Sequence, residues 1–191
     1  MSPSTILPDR NPSVATTVRQ LRRSSPDTPA FPETAGPVVV PGTASVPAGG
    51  AVAAAVNDDA SSGMVVKYAQ AEARRLGVPL RVVHVWTGND AAASGARLLR
   101  HDRMCDADHL LATVLYESLP EVEADLAERE ILHDPEPVRA LTALSASLSL
   151  LVVAAAAVAR GQNLGGIAGG LMGRTVCPLV VVPAVEESAI W

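Results

Sequence analysis

The most constraining feature of this chain is the stretch from Leu150 to Pro183. Two short, charge-free apolar runs, Leu150–Ala154 and Leu179–Val182, enclose a segment holding Gly161, Gly165, Gly166, Gly169, Gly170 and Gly173. Runs of this length without alternation read as strands covered on both faces, the pattern of a buried parallel sheet. Glycine frees the backbone for positive φ and for close approach. A glycine-rich turn between a strand and a helix can present bare N–H groups to an anion. The plainer reading is a flexible Gly/Ala connection that holds no ligand.

The rest of the chain supplies a sheet for this loop. Ala51–Val56 is a second unalternating apolar run, ended by Asn57-Asp58-Asp59-Ala60-Ser61-Ser62, which offers helix caps. Val66, Ala69, Ala73 and Leu76 then share one helical face, and Gly77 with Pro79 stops the helix. Leu80–Trp86 is the next strand. Asn89–Ala96 is a loop of small residues, and Met104, Ala107 or Asp108, Leu111, Val114 or Leu115, and Ser118 mark one face of a second helix that Pro120 ends. Leu126–His133 is a partly polar strand, which places it near an edge. The order β-α-β-α-β-α-β-loop-β specifies an open α/β sheet with helices on both faces.

Ala140–Ala159 is uncharged and about as long as the roughly 20 residues a membrane span requires. Thr142, Ser145, Ser147 and Ser149 dilute it, and Asp134-Pro135 reads as a helix cap followed by proline at the first helical position. The run is therefore divided into an amphipathic helix and a buried strand, and no membrane association is expected.

With 48% apolar and only 3% aromatic residues, the core has to be built from Val, Leu and Ala. A net charge of −5 argues against nucleic acid as a partner. Cys105 and Cys177 give neither a disulfide framework nor metal-ligand spacing, as expected of thiols in a reducing cytoplasm. Residues 1–36, rich in Pro, Ser and Thr, read as a disordered tail without a secretory signal. Residues 37–50 are a short edge strand, Pro37–Pro41, and a linker; residues 51–185 are the domain, and 186–191 a C-terminal tail. His84, His101, His109 and His133 are the candidates for acid/base work near neutral pH, and none lies in a catalytic or zinc-binding motif, so an enzyme is not expected.

Several stretches together resemble the bacterial universal stress protein family. They are Val56–Ser62, Glu72–Trp86, Asp134-Pro135, Leu150–Val153, Leu164–Gly173 and Cys177–Pro183. The resemblance runs from about Ala51 to Pro183, and Pro37–Pro41 is similar to the closing strand of a preceding copy of such a domain. It implies a Rossmann-like, mainly parallel five-stranded sheet and a role in stress response or signalling. It also implies a homodimer formed through the last strand, a possible further protein partner, and ATP as the candidate cofactor.

ATP-binding members hold adenine and ribose near an Asp after the first strand and a Val in the second. They hold phosphates with Gly-x-x-Gly-x9-Gly-[Ser/Thr]. Carried onto this sequence, Asn57 stands at the Asp and Val85 at the Val. Arg160 and Asn163 stand at the two early glycines, and the spacer from Leu164 to Met172 includes Gly165. Gly173 and Arg174 then close the motif. Asn57, Arg160 and Arg174 depart from the pattern. Two readings follow: a dimerising module whose ATP binding is weak or lost, and an ATP-dependent switch. Arg174–Val176 leaves no room for the family's helix of about two turns before Cys177-Pro178, so the last helix is expected to be shortened.

Overall fold

The computed structural model describes residues 36–45, 49–87, 100–155 and 166–183. The tails, the loop after Thr87, and Arg160, Asn163 and Gly165 lie outside these residues. In chain order the elements are β1 (Val38–Val40), β2 (Ala51–Ala55), α1 (Ser62–Leu76), β3 (Leu80–Trp86), α2 (Arg100–Ser118) and α3 (Glu121–Leu126). They continue with β4 (Glu128–His133), α4 (Pro137–Leu144), a 3-10 turn (Ser145–Ser147), β5 (Leu148–Ala154), α5 (Gly166–Leu171) and β6 (Leu179–Val182).

The strands form one six-stranded sheet in the order β1-β6-β5-β2-β3-β4. β4, β3, β2, β5 and β6 are mutually parallel, and β1 joins β6 antiparallel. Period-two alternation sorts each inner strand into two cores. Val52, Ala54, Val82, Val152 and Val180 meet Val65, Val66 and Ala69 of α1 and Leu111 and Leu115 of α2. Ala53, Val83, Leu151, Val153 and Val181 meet Leu141 of α4 and Ala168 and Leu171 of α5. Both faces are thus covered, as the unbroken apolar runs require.

Several local expectations hold. Gly77 ends α1 at φ +67°, and the Val78 N–H closes the turn on the Ala73 carbonyl at 3.1 Å. β4 is the far edge strand. Its Glu128 and Glu130 carboxylates accept hydrogen bonds from Arg81 on β3, at 2.8 and 3.1 Å.

Others need correction. Leu76 and Met104 are exposed, so the buried stripe of α1 shifts to Val65, Val66, Ala69 and Ala73, and that of α2 to Ala107, Leu111 and Leu115. Between Pro120 and β4 the chain turns once more as α3. The first-turn proline of α4 is Pro137. Asp134 instead accepts the Glu136 N–H at 2.8 Å and pairs with Arg139, which holds its carboxyl below the usual carboxylate range.

The largest correction concerns the glycine segment. Gly166–Leu171 is a helix, so the short final helix is built from residues that read as loop, and it needs none of Arg174–Val176. Gly170 explains part of the glycine content. A Cβ there would lie 2.7 Å from Val138 Cγ2, so the bare backbone lets α5 settle onto α4. The last strand, through which the resemblance implies a dimer, is not left as an edge in the sheet: all four residues of β6 are buried, and β1 occupies its outer side. The uncharged stretch from Ala140 divides into α4, the 3-10 turn and β5, and no helix among the described residues is long and apolar enough to cross a membrane.

Burial separates the two thiols. Cys177 is fully enclosed, and desolvation pushes its pKa up from the ordinary 9.0 to about 11. Cys105 is exposed. At pH 7.5 a disulfide thiol reagent should therefore titrate one thiol rapidly and the second only after denaturant is added. Because the folded state holds the Cys177 proton more tightly, its contribution to stability is intact below pH 9 and fades as pH rises towards 11. Two equally fast thiols would show that β6 does not shield this residue.

Candidate functional site

The chain order fixes where a ligand can enter. From β2 the chain steps outward through β3 to β4, then returns to place β5 on the other side of β2. The strand order reverses between β2 and β5, and the connections leave their C-terminal ends in opposite directions. A crevice opens at such a point in doubly wound sheets.

A cleft of about 420 Å³ lies there. Its floor is the ends of three strands: Ala55 of β2 with Val56 just after it, Val83 and Val85 on β3, and Val153 and Ala154 of β5 with Ala155 just after it. One wall is the turn into α1, with Asn57, Asp59, Ser62 and Val65. The other is Pro137 and Leu141 of α4 with Gly166, Ile167 and Ala168 of α5. His84 and Thr87 complete the lining.

The polar wall is organised by its own backbone. The Asn57 N–H donates to Ser62 Oγ at 3.1 Å, and the Ser62 hydroxyl donates to the Asn57 carbonyl at 2.6 Å. Asp59 Oδ1 accepts the Ser61 N–H at 2.8 Å. These bonds hold the turn closed and leave Asn57 exposed at the lip. His84 lies 3.1 Å from the Val56 carbonyl through Nδ1. A carbonyl only accepts, so Nδ1 is the donor in this contact. Across the cleft, Gly166 opens α5 at φ +66°, a conformation that side chains rarely adopt.

Of the residues singled out in the sequence, Asn57 and Val85 meet in this cleft. Gly173 and Arg174 do not line it. Gly173 sits past the far end of α5 at φ +69°, and the Arg174 N–H closes the helix on the Leu171 carbonyl at 3.0 Å. This positive-φ glycine is a helix stop. Arg160, Asn163 and Gly165 fall outside the described residues.

Ser62, Asp59, His84, Gly166 and Ile167 were missed as lining residues. Ser62 and Asp59 follow Asn57 closely and His84 adjoins Val85, so sequence proximity was the available signal. No group of three or more His, Cys, Asp or Glu among the described residues can hold a metal ion. The lining offers hydrogen-bonding groups over an apolar floor, which suits holding a small organic ligand.

The sequence profile described as the Universal stress protein family matches residues 50–183. The chain belongs to the universal stress protein family. The matched region begins just before β2 and ends just after β6, and so contains every strand that borders the cleft. No curated protein matches the chain.

Solved structures show the same fold at low identity. The universal stress protein from Archaeoglobus fulgidus is 20% identical, with a TM-score of 0.54 over 69% of this chain and 97% of that one. A second structure, of the universal stress protein from Archaeoglobus fulgidus in complex with dAMP, is also 20% identical, with a TM-score of 0.52 over 69% and 96% of the two chains. Another universal stress protein from Archaeoglobus fulgidus aligns with 80% of this chain and 51% of its own length, at 14% identity and a TM-score of 0.52.

Proposed function

We propose that this universal stress protein domain acts in stress response or signalling as a weak adenine-nucleotide-binding module, and that it binds its ligand without chemically transforming it. The observation that carries the reading is the cleft at the reversal of strand order, with Asn57 at the tip of β2 and Val85 on β3 both in its lining. Its volume of 420 Å³ falls within the roughly 300–1,000 Å³ usual for small-molecule sites. The dAMP complex of the Archaeoglobus fulgidus protein supports the ligand class. ATP and dAMP share the adenine and a pentose 3′-hydroxyl that this part of the cleft would receive; they differ in their phosphates and in the 2′-hydroxyl, which only ATP carries, and the test uses both.

Weakness follows from Asn57. A neutral amide oxygen at the lip makes a hydrogen bond to a ribose hydroxyl roughly half as strong as a carboxylate would. Asn57→Asp should therefore tighten adenine-nucleotide binding by about tenfold, corresponding to about 1.4 kcal/mol. Calorimetric titration of both forms with dAMP and with Mg-ATP reads this directly. Absence of heat from either nucleotide up to millimolar concentration, in both forms, would reject the reading.

A further inference from the structure

β1 and β6 carry nearly the same sequence. The first is Pro37-Val38-Val39-Val40-Pro41, the second Pro178-Leu179-Val180-Val181-Val182-Pro183. They lie antiparallel, with Val38 opposite Val181, Val39 opposite Val180 and Val40 opposite Leu179. The outer side of β6 is thus filled by a shorter version of β6 itself, turned end for end. This is the arrangement that a second copy's β6 would adopt across a two-fold axis, since an isologous contact pairs one strand with its own sequence.

The segment after β1 fastens this strand. The Thr43 N–H and hydroxyl both donate to the Thr175 carbonyl, at 2.9 and 3.0 Å, and the Ala44 N–H donates to the Val176 carbonyl at 3.4 Å. Gly42 makes the approach possible, because a Cβ there would lie 2.0 Å from the Val176 carbonyl oxygen. Gly50 repeats the device where the segment enters β2, with a Cβ position 2.7 Å from the Ser147 carbonyl oxygen.

We infer that residues 38–44 are a tethered edge cap that holds the native chain monomeric by occupying the strand edge where β6 of a second copy would pair. The occupant is identified by the match between the two proline-bounded valine runs and by their antiparallel register. The tether decides the competition. Residues 41–50 link β1 to the centre of the sheet, and a short linker holds its strand at an effective concentration in the millimolar range. A second copy at micromolar concentration does not displace it. Beyond the cap the sheet is blunted, since Pro37 and Pro41 bound an edge strand only three residues long.

The test is the oligomeric state of the full chain, read by light scattering and sedimentation at about 100 µM, well below the tether's millimolar concentration. The native chain should be a monomer. Gly42→Val drives a side chain into the backbone of residues 176–177 and should release the cap, giving a dimer. Val39→Asp places a charge on the half-buried centre of β1 and should do the same without touching Gly42. A peptide spanning residues 36–45, added in excess, should return either variant to monomer by refilling the edge. Four results overturn the inference. They are a native dimer, a folded variant of either kind that stays monomeric, a variant dimer that the peptide leaves intact, and loss of the helical circular dichroism signal in both variants. The last would make β1 an obligatory part of the fold instead of a detachable cap. None of these readouts involves a nucleotide, so the inference stands or falls apart from the proposed function.

Discussion

Leu151→Ala should lower the folding stability by about 3 kcal/mol, a large part of the 5–15 kcal/mol available to a domain of this kind. Leu151 is fully buried on β5, between Ala53 of β2 and Leu179 of β6. It belongs to the core roofed by α4 and α5. That roof is thin: α5 is six residues long and includes Gly166, Gly169 and Gly170. Such a lid has few side-chain atoms with which to collapse into a vacated volume, so the cavity term should persist. A urea titration is the measurement, with the midpoint falling and the slope unchanged. A loss under about 1 kcal/mol would mean that α5 does not seal this face.

Ala154→Phe should remove nucleotide binding by more than about 100-fold, because an aromatic ring would take up volume that the ligand needs. Ala154 ends β5 in the floor of the cleft and is only partly buried, so the ring has open space to enter. The melting temperature should move by only a few degrees, the change expected for about 1 kcal/mol in a domain this size. Calorimetry and thermal melting on one sample separate the two effects. Unchanged affinity in a folded Ala154→Phe protein would place the ligand elsewhere.

The sheet interior was legible because burial on both faces leaves a direct mark: Ala51–Val56 and Leu150–Val153 are written wholly in apolar residues, and Leu80–Val85 in apolar residues apart from Arg81 and His84. Gly77 and Pro120 were legible because each stops a helix by local chemistry. The cleft was half legible. Asn57 and Val85 were placed in it by resemblance, while Gly173, singled out by the same resemblance, lies beyond the far end of α5 and outside the lining. The cause is physical. A helix made of Gly-Ile-Ala-Gly-Gly-Leu carries too few side chains to show a period of 3.6, so α5 looks like a loop. The two ends of such a helix can both demand positive φ, as Gly166 and Gly173 do, and sequence does not say which of them borders the cleft. The position of β1 was hidden for another reason. Pro37–Pro41 reads correctly as an edge strand, yet nothing local indicates that its neighbour is β6.

That distant pairing has a consequence for how the protein is made. Thr43 bonds to a residue 132 positions away, and the strand beside it waits for β6 in the same way. During synthesis the three valines of β1 emerge well before their partner strand, since the whole of residues 41–178 lies between them. Over that interval this sticky segment has no native mate. The prolines on either side then serve a second purpose, limiting any mistaken pairing to three residues until residues 179–182 arrive.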